Sequence, residues 1–354
     1  MDYHHFHGKN IPHIEINPDM KIDDLVEIYT SSGYNARQLG EAAKLFCKMI
    51  EDDAIICLAI AGAMTPIGFG GLFKSLIERG FVDWIITTGA NVYHEEHFSW
   101  GLPVRQGHFD VDDNILYDKK IARIRDVFIK GEQTLMAQDK IIQQMGKDNF
   151  EKSFTTAEFT NLLGSYSKKK SKNPENSFIV AAHDYDVPVY ISTLKDSSLS
   201  LDLVPLRLAN NIYQLDIMRE IIEQAAILYN SEKSGIVEIG GGVPKNMAQQ
   251  TGPLLDQILG LGHGGQNYII QITDARPDTG GLSGATLQEG KSWGKIKDSH
   301  EDVITVYADA SIAFPILCLY VFSMEKSRKP KRLYQKLGKY YQNLAEAYLK
   351  KNTK

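Results

Sequence analysis

The chain is poor in the residues that staple or anchor a protein. Its 354 residues include only three cysteines, Cys47, Cys57 and Cys318, odd in number, far apart and set in apolar or helical contexts. That argues against a disulfide framework and reads as buried thiols of a reduced compartment. Basic charge is not in excess: the net charge of -5 and the pI near 6.1 exclude a nucleic-acid surface spread over the whole molecule and suit a cationic small substrate. Long apolar runs are missing too, the longest, Ile312 to Phe322, being too short to span a bilayer. The opening MDYHHFHGKNIPHIEI lacks a basic stretch followed by an apolar one, so no signal peptide is expected and a cytoplasmic protein is. There is no internal repeat, long linker or low-complexity tract.

What remains is an ordinary soluble composition, 43% hydrophobic and 23% charged, in a chain long enough for one large domain. Residues 1–20, with His4, His5, His7 and His13, read as a flexible arm without fixed metal-ligand spacing. Lys21 to Met49 has helical periodicity, with Leu25, Ile28 and Tyr29 on one face of a first helix and Leu39, Ala42, Ala43 and Phe46 on one face of a second. Six short apolar runs then follow at helix-length intervals: Ile55 to Ile60, Asp83 to Thr88, Val187 to Ser192, Ile236 to Ile239, Tyr268 to Ile272 and Val303 to Tyr307. Each ends in small and polar residues, among them AGAMTPIGFGG, GANVYHEEH, GGGVPKN and TDARPDTGGLSG. The pattern predicts an α/β fold, Rossmann-like, with a mostly parallel sheet of about six or more strands, helices on both faces and helical additions at both termini. Residues 21–354 are expected to form a single domain whose six strand-end loops converge on one site.

Between the strands, Thr155-Thr156-Ala157-Glu158 predicts a capping box opening a helix with Phe159, Leu162, Leu163 and Tyr166 inward. The lysine-rich run at 168–172 suits a basic docking patch or, more commonly, the solvated end of that helix. Ile212 to Leu228 predicts another helix, with Leu215, Met218, Ile221, Ile222 and Ala225 in phase. Arg332 to Lys351 carries a stripe of Leu333, Leu337, Tyr340, Tyr341, Leu344 and Tyr348 that suits core or a subunit interface.

Candidate chemistry gathers at the strand ends. Gly240-Gly241-Gly242 lets backbone approach a ligand closely, and a helix beginning near Lys245 would aim amides at an anion such as a pyrophosphate; the same run also suits a plain tight turn. Ala61-Gly62-Ala63 and Thr88-Gly89-Ala90 repeat the theme. His94-Glu95-Glu96-His97 spaces its histidines three apart rather than four and has no evident third ligand, so no metal is expected, and His94 or Glu95 is better read as a polar substrate ligand. Asp196, Asp202, Asp274, Asp278, Glu289 and Asp309 are acidic candidates for holding a cationic amine, with helix capping and turn formation as the alternative use of each aspartate. In EGKSWGKI, Lys295 lies between Trp293-Gly294 and Ile296, less polar surroundings than a surface lysine has. Apolar surroundings favour the neutral amine that attacks carbonyls and imines. The other reading is a lysine snorkelling beside a half-buried tryptophan.

SGATLQEGKSWGKI followed by VYADASIAFPIL, with IGGGVPKN and the TTGAN strand end, resembles the deoxyhypusine synthase family over Ile55 to Phe322, and most closely its bacterial deoxyhypusine synthase-like branch. The resemblance implies an NAD-dependent aminobutyl transferase, a transferase of alkyl groups. In it spermidine is oxidised by NAD, its butyl fragment becomes an imine on an enzyme lysine, and the fragment passes to an acceptor amine and is reduced again. Lys295 matches the imine-forming lysine, Trp293 and Glu289 the substrate-pocket tryptophan and carboxylate, and Asp196 an acidic residue at the cofactor. Gly62, Ala63, Met64, Thr65, Thr88, Gly89, Ala90, Gly241, Asp309 and Ala310 fall on cofactor segments, and Asp274 is counted with them. The family implies a homotetramer with sites shared by two chains at an interface.

The departures from the eukaryotic pattern lie in the amine pocket. Tyr93 and His94 stand where a Glu-Glu pair is expected, Asn246 where a histidine is, and Gly280-Gly281-Leu282 where Gly-Ser-Asp is. Losing a carboxylate opposite an ammonium removes a charge-assisted hydrogen bond of roughly 1.5 to 3 kcal/mol. The expectation is therefore aminoalkyl transfer between small amines, giving a homospermidine-like product, with Tyr93, His94 and Asn246 among the substrate ligands. Deoxyhypusine synthesis on a protein lysine is the alternative, and an inactive NAD-binding sensor or scaffold is the reading from another class.

Overall fold

The computed structural model describes residues 8–149, 153–209, 214–297 and 302–353. Residues 8–20 form no helix or strand, and His13 is exposed; His4, His5 and His7 lie outside the described residues. Two helices come next, α1 (Ile22–Ser31) and α2 (Tyr34–Glu51). The fully buried residue of α1 is Val26, and the expected Leu25, Ile28 and Tyr29 are half-buried, Tyr29 packing against the main core. In α2 the expected face is fully buried.

The six apolar runs become one parallel sheet: β1 (Ile55–Ile60), β2 (Trp84–Thr87), β3 (Val189–Ile191), β4 (Ser234–Ile239), β5 (Tyr268–Thr273) and β6 (Val303–Tyr307). Their spatial order is β3-β2-β1-β4-β5-β6, the doubly wound order, which reverses direction between β1 and β4. Every pairing is parallel. The unbroken hydrophobicity of β1 follows from burial on both faces. Ile56, Leu58 and Ile60 enter the larger core, shared with α2 and the helix that follows β6, while Ile55, Cys57 and Ala59 enter the core on the opposite face. The three cysteines are free and buried.

Between β1 and β2 runs α3 (Gly70–Glu78), and β2 leads directly into α4 (Gly89–Ser99). Here the sequence reading is corrected: GANVYHEEH is not a strand-end loop but a helix. Thr88 caps it by accepting from the Asn91 amide, and packing of Asn91, Val92, Tyr93, Glu95, Glu96 and His97 in the interior outweighs the weak helix propensity of Gly and Asn. The insertion before β3 carries a small antiparallel sheet and several helices, the two longest being α5 (Met136–Asn149) and α6 (Thr156–Lys170). The capping box forms as expected, Thr155 and Glu158 exchanging hydrogen bonds of 2.9 and 3.3 Å. At the far end Lys168 and Lys170 pair with Asp184 and Asp148.

After β3 come α7 (Ser198–Leu208) and α8 (Ile217–Tyr229). Helix α8 starts later than its periodicity suggested, because Gln214–Leu215 pairs as a short strand with Ser153–Phe154 and Asp216 then caps the helix; Ile212 lies outside the described residues. Met218 and Ile221, expected inside, are exposed, whereas Glu220, Glu223 and Gln224 are buried. After β4 come α9 (Gly242–Pro253), α10 (Leu287–Ser292), α11 (Ala310–Met324) and α12 (Leu337–Asn352). From the terminal stripe, Leu333, Leu337 and Leu344 are buried and Tyr348 is exposed. No helix of the described residues is long and apolar enough to cross a membrane.

The segment before α12 is tied to the sheet by a buried ion pair. Arg328 donates to Asp83 (2.6 Å) and to Ala54 O (2.8 Å), and the same Asp83 oxygen accepts from the Ile56 amide. Burial lifts the Asp83 carboxyl to about 6 while Arg328 opposes the rise. Replacing Arg328 with Ala should cost roughly 3 to 5 kcal/mol at pH 7, since it leaves an uncompensated buried carboxylate. The loss should shrink as pH falls and Asp83 takes up a proton, which denaturant unfolding at pH 7 and pH 5 will measure.

Candidate active site

The carboxyl ends of β1, β2 and β4 lie side by side, because β4, β1 and β2 are neighbours. Gly62, Gly240 and Gly242 adopt positive φ (67°, 78° and 60°), a conformation that glycine takes without strain. A Cβ on Gly241 would stand 2.6 Å from Ser283 Cα, so the turn after β4 packs directly against residues 282–284. Gln271 of β5 pins both sides of that contact, donating to Gly240 O and Ser283 O, each at 3.0 Å. Helix α9 begins at Gly242, three residues earlier than the sequence suggested.

Lys295 is held by its backbone from two directions. Thr286 caps α10 by accepting from the Glu289 amide, and after the helix ends the Lys295 amide donates back to Gly290 O (3.1 Å). On the other side Lys295 O accepts from the Gln266 amide (3.0 Å), and the Lys297 amide donates to Gln266 O (2.8 Å). Ile296, buried, belongs to the same core as Leu287 and Ile269. This approach needs glycine at Gly265, where a Cβ would lie 2.5 Å from the Lys295 carbonyl carbon and φ is 80°.

The side chain of Lys295 enters a cavity of about 240 Å³ walled by Asn246, Gln249, Leu282, Glu289 and Trp293. Its Nζ donates to Asn246 Oδ1 at 2.8 Å. One residue earlier on α9, buried Lys245 donates to Gln271 Oε1 (3.0 Å) and Ala285 O (2.6 Å). Burial, and then the positive charge of Lys245, hold the Lys295 ammonium below its ordinary proton affinity; Glu238 and Glu289 oppose that shift. Glu238, on β4, is fully buried, and burial lifts its carboxyl to about 7 against the pull of Lys245, a Gln249 hydrogen bond and Lys295. Sequence inspection missed Glu238, though an isolated acid inside an apolar strand was the available signal. A larger, mostly apolar cavity of about 760 Å³ adjoins, sharing Trp293 and Gln250 with the first.

Of the expected substrate ligands, Asn246, Glu289 and Trp293 thus surround Lys295, and so does Leu282. Tyr93 and His94 do not line this pocket. They lie on α4, where the Tyr93 hydroxyl donates to Asp139 (2.6 Å), His94 bonds His97 (3.0 Å) and His97 bonds Gln138 (2.6 Å). Burial lowers His94 to about 4 and His97 to about 3, so both are neutral at pH 7. Asp202 stands against Asp139, and burial together with that neighbour raises its carboxyl to about 8. Glu95 is buried and accepts from the Phe178 amide at 2.7 Å.

The expected cofactor residues divide. Gly62 is exposed, and Ala63, Met64, Thr88, Ala90 and Ala310 are partly so, with Thr88 Oγ1 donating to Gly62 O and joining the β1 and β2 loops. Thr65 is buried, its hydroxyl donating to Asn91 O, and the Met64 and Thr65 amides both donate to Asn91 Oδ1, which leaves neither free for a phosphate. Gly89 is buried against Ser197, and Gly241 is buried against Ser283. Asp196 and Asp274 are exposed at the ends of β3 and β5. Asp309 is exposed and caps α11 through the Ser311 amide (2.7 Å), and Asp278 pairs with Arg276 (2.9 Å). Open glycine turns after adjacent parallel strands, with the N-terminus of α9 beside them, fit a dinucleotide in these loops.

A deoxyhypusine synthase family model matches residues 24–321. The chain is similar to a deoxyhypusine synthase-like protein of Nostoc sp. (strain PCC 7120 / SAG 25.82 / UTEX 2576), 38% identical over 353 residues that cover 97% of this chain and 92% of that one. It is also similar to a probable deoxyhypusine synthase 1 of Archaeoglobus fulgidus, 36% identical over 307 residues, covering 87% and 96%. A crystal structure of a candidate deoxyhypusine synthase from Entamoeba histolytica shares the fold, with a TM-score of 0.60 at 16% identity, covering 90% of this chain and 99% of that one.

Replacing Gly265 with Ala should displace the Lys295 backbone and cost about 1 to 3 kcal/mol of stability. Aldehyde labelling of Lys295, read by peptide mass spectrometry beside thermal unfolding, should fall more steeply than the melting temperature.

Proposed function

The chain belongs to the deoxyhypusine synthase family, and from that premise and the pocket around Lys295 we propose that it is an NAD-dependent aminoalkyl transferase acting on polyamines. Its product on this reading is homospermidine-like, made from small amines. The observation that carries the reading is Lys295 itself: half-buried, its proton affinity lowered, 2.8 Å from Asn246 and in one pocket with Glu289 and Trp293.

When bound, NAD would supply the oxidation that turns an amine carbon into an imine carbon and the reduction that ends the cycle. The loops with Gly62, Thr88, Gly240 and Gly242 would hold it, with Asp196, Asp274 and Asp309 at the rim. The chain's own residues account for the transfer. Glu289 attracts an ammonium of the donor, and Trp293 offers a face for its alkyl body and cationic end. Asn246 aims Lys295 Nζ, whose lone pair forms the bond to the imine carbon as the original nitrogen leaves with its electrons and a proton. An acceptor amine then reverses that exchange and frees the lysine. A neutral amine is required at the attack, which the buried setting and Lys245 favour.

Asn246 and Leu282 stand at positions where the eukaryotic pattern has more polar groups, and this supports a small amine rather than a protein lysine as acceptor. The exposed apolar residues Ile217, Ile221, Ile258 and Trp293 around the larger cavity support a subunit contact beside the site, as the homotetramer expected of the family requires. Light scattering should then return a tetrameric mass rather than 39.7 kDa.

Incubation with NAD and putrescine or spermidine, followed by borohydride, should leave a reduced aminoalkyl adduct on Lys295. Lys295→Ala should lose the adduct and retain NAD binding. An intact protein that binds NAD yet gives no adduct with any polyamine would overturn the reading, and discharge onto a protein lysine but not onto small amines would reverse the choice of acceptor.

A further inference from the structure

Beneath the pocket floor lies a carboxyl group that the proposed transfer does not use. Glu238 is in β4, in register with Ala59 of β1 and Gln271 of β5, and is fully buried. Its Oε1 accepts from Gln249 Nε2 at 2.6 Å, and its Oε2 has no hydrogen-bond partner among the described residues. A strand interior keeps an unpaired carboxylate oxygen only against a large desolvation penalty, so a compensating charge is required.

Two cations supply it. Lys245 and Lys295 both act on the Glu238 carboxyl; Gln249, which holds Glu238, lies one helical turn from both Lys245 and Asn246 on α9, and Asn246 holds Lys295. Among the described residues neither lysine has a carboxylate oxygen within 4.0 Å; their hydrogen bonds go to neutral acceptors, Gln271 and Ala285 for Lys245 and Asn246 for Lys295. The titratable groups facing this space are Cys57 of β1, Glu238 of β4, Lys245 of α9, Glu289 of α10 and Lys295.

We propose that Glu238 is the buried counter-charge of Lys295 and sets the pH at which that lysine becomes nucleophilic. The proposal rests on Lys295 being the imine-forming residue. Charges in a water-poor interior interact with little screening, so an anion behind the pocket strengthens the hold of Lys295 on its proton and offsets burial and Lys245. As Glu238 itself takes up a proton, that hold weakens, and the two groups titrate as a pair. Glu238 acts through Lys295 and is a positioning residue.

The test reads Lys295 directly, without its natural amine. Full-length protein is treated with propanal and cyanoborohydride across pH, and alkylation of Lys295 is followed by peptide mass spectrometry. The rate tracks the neutral fraction of the lysine and rises with pH. In Glu238→Gln the rising limb should move down by about 1 pH unit, the effect of removing one nearby opposite charge. In Glu238→Asp, which keeps the charge, it should stay near the wild-type position. A limb that does not move in Glu238→Gln, a shift shared by Glu238→Asp, or an equal loss at every pH overturns the proposal. Should Glu238→Gln fail to fold by thermal unfolding, Gln249→Met removes the donor that favours the carboxylate and should move the limb in the same direction by less; no movement overturns the proposal. Loss of the imine reading shows separately, as wild-type protein that gives no polyamine adduct on Lys295.

Discussion

Lys295 is fixed by hydrogen bonds of its own backbone, to Gly290 on one side and Gln266 on the other, and the site depends on that double attachment. A lysine has four rotatable side-chain bonds, so its amine is located only if its root is. Helix α10 supplies one anchor and the segment leading into β5 the other, and Gly265 lets the two backbones approach closer than any side chain would permit. With the root held, one hydrogen bond from Nζ to Asn246 suffices to aim the amine.

The electrostatics follow from where the parallel sheet places its neighbours. Residues in register across β1, β4 and β5 share a face, which sets Glu238 beside Gln271 and beneath α9. Gln271 reaches Lys245 and the glycine turn together, so one strand residue links the buried cation to the loop suited to a cofactor. Burial pushes the carboxyl of Glu238 up and the ammoniums of Lys245 and Lys295 down, narrowing the gap between acid and base in a small volume. A second set of buried acids, around α4, serves otherwise. Glu96 accepts from Trp100 and Ser99 and stands against Ser167, and Glu95 caps Phe178, so these carboxylates are spent on joining helices.

The sheet was readable in the chain because strands of a sheet covered on both faces are mostly apolar along their length, and all six runs became its strands. The capping box at Thr155 and the buried face of α2 were readable for the same local reasons. The segment from Gly89 to His97 was not: its glycine, asparagine and paired acids look like a loop, and only the Thr88 cap and the surrounding core make it a helix. Thr65 likewise sits in a loop of the right composition, but the side chain of Asn91, 26 residues away in sequence, takes its amide. Asp309 shows the common use of an aspartate at a helix start, a hydrogen bond to the next turn.

By itself the sequence determined the six strands, the family and the lysine at the centre of the candidate chemistry, since each is written in a short stretch of residue types. The tertiary structure decided which of the polar residues meet that lysine. It brought Asn246, Leu282, Glu289 and Trp293 around it, placed Glu238 and Lys245 behind it, and put Tyr93 and His94 in a separate cluster. Those distinctions depend on strand register and on close backbone contacts between segments distant in the chain, and no local pattern of residue types encodes them.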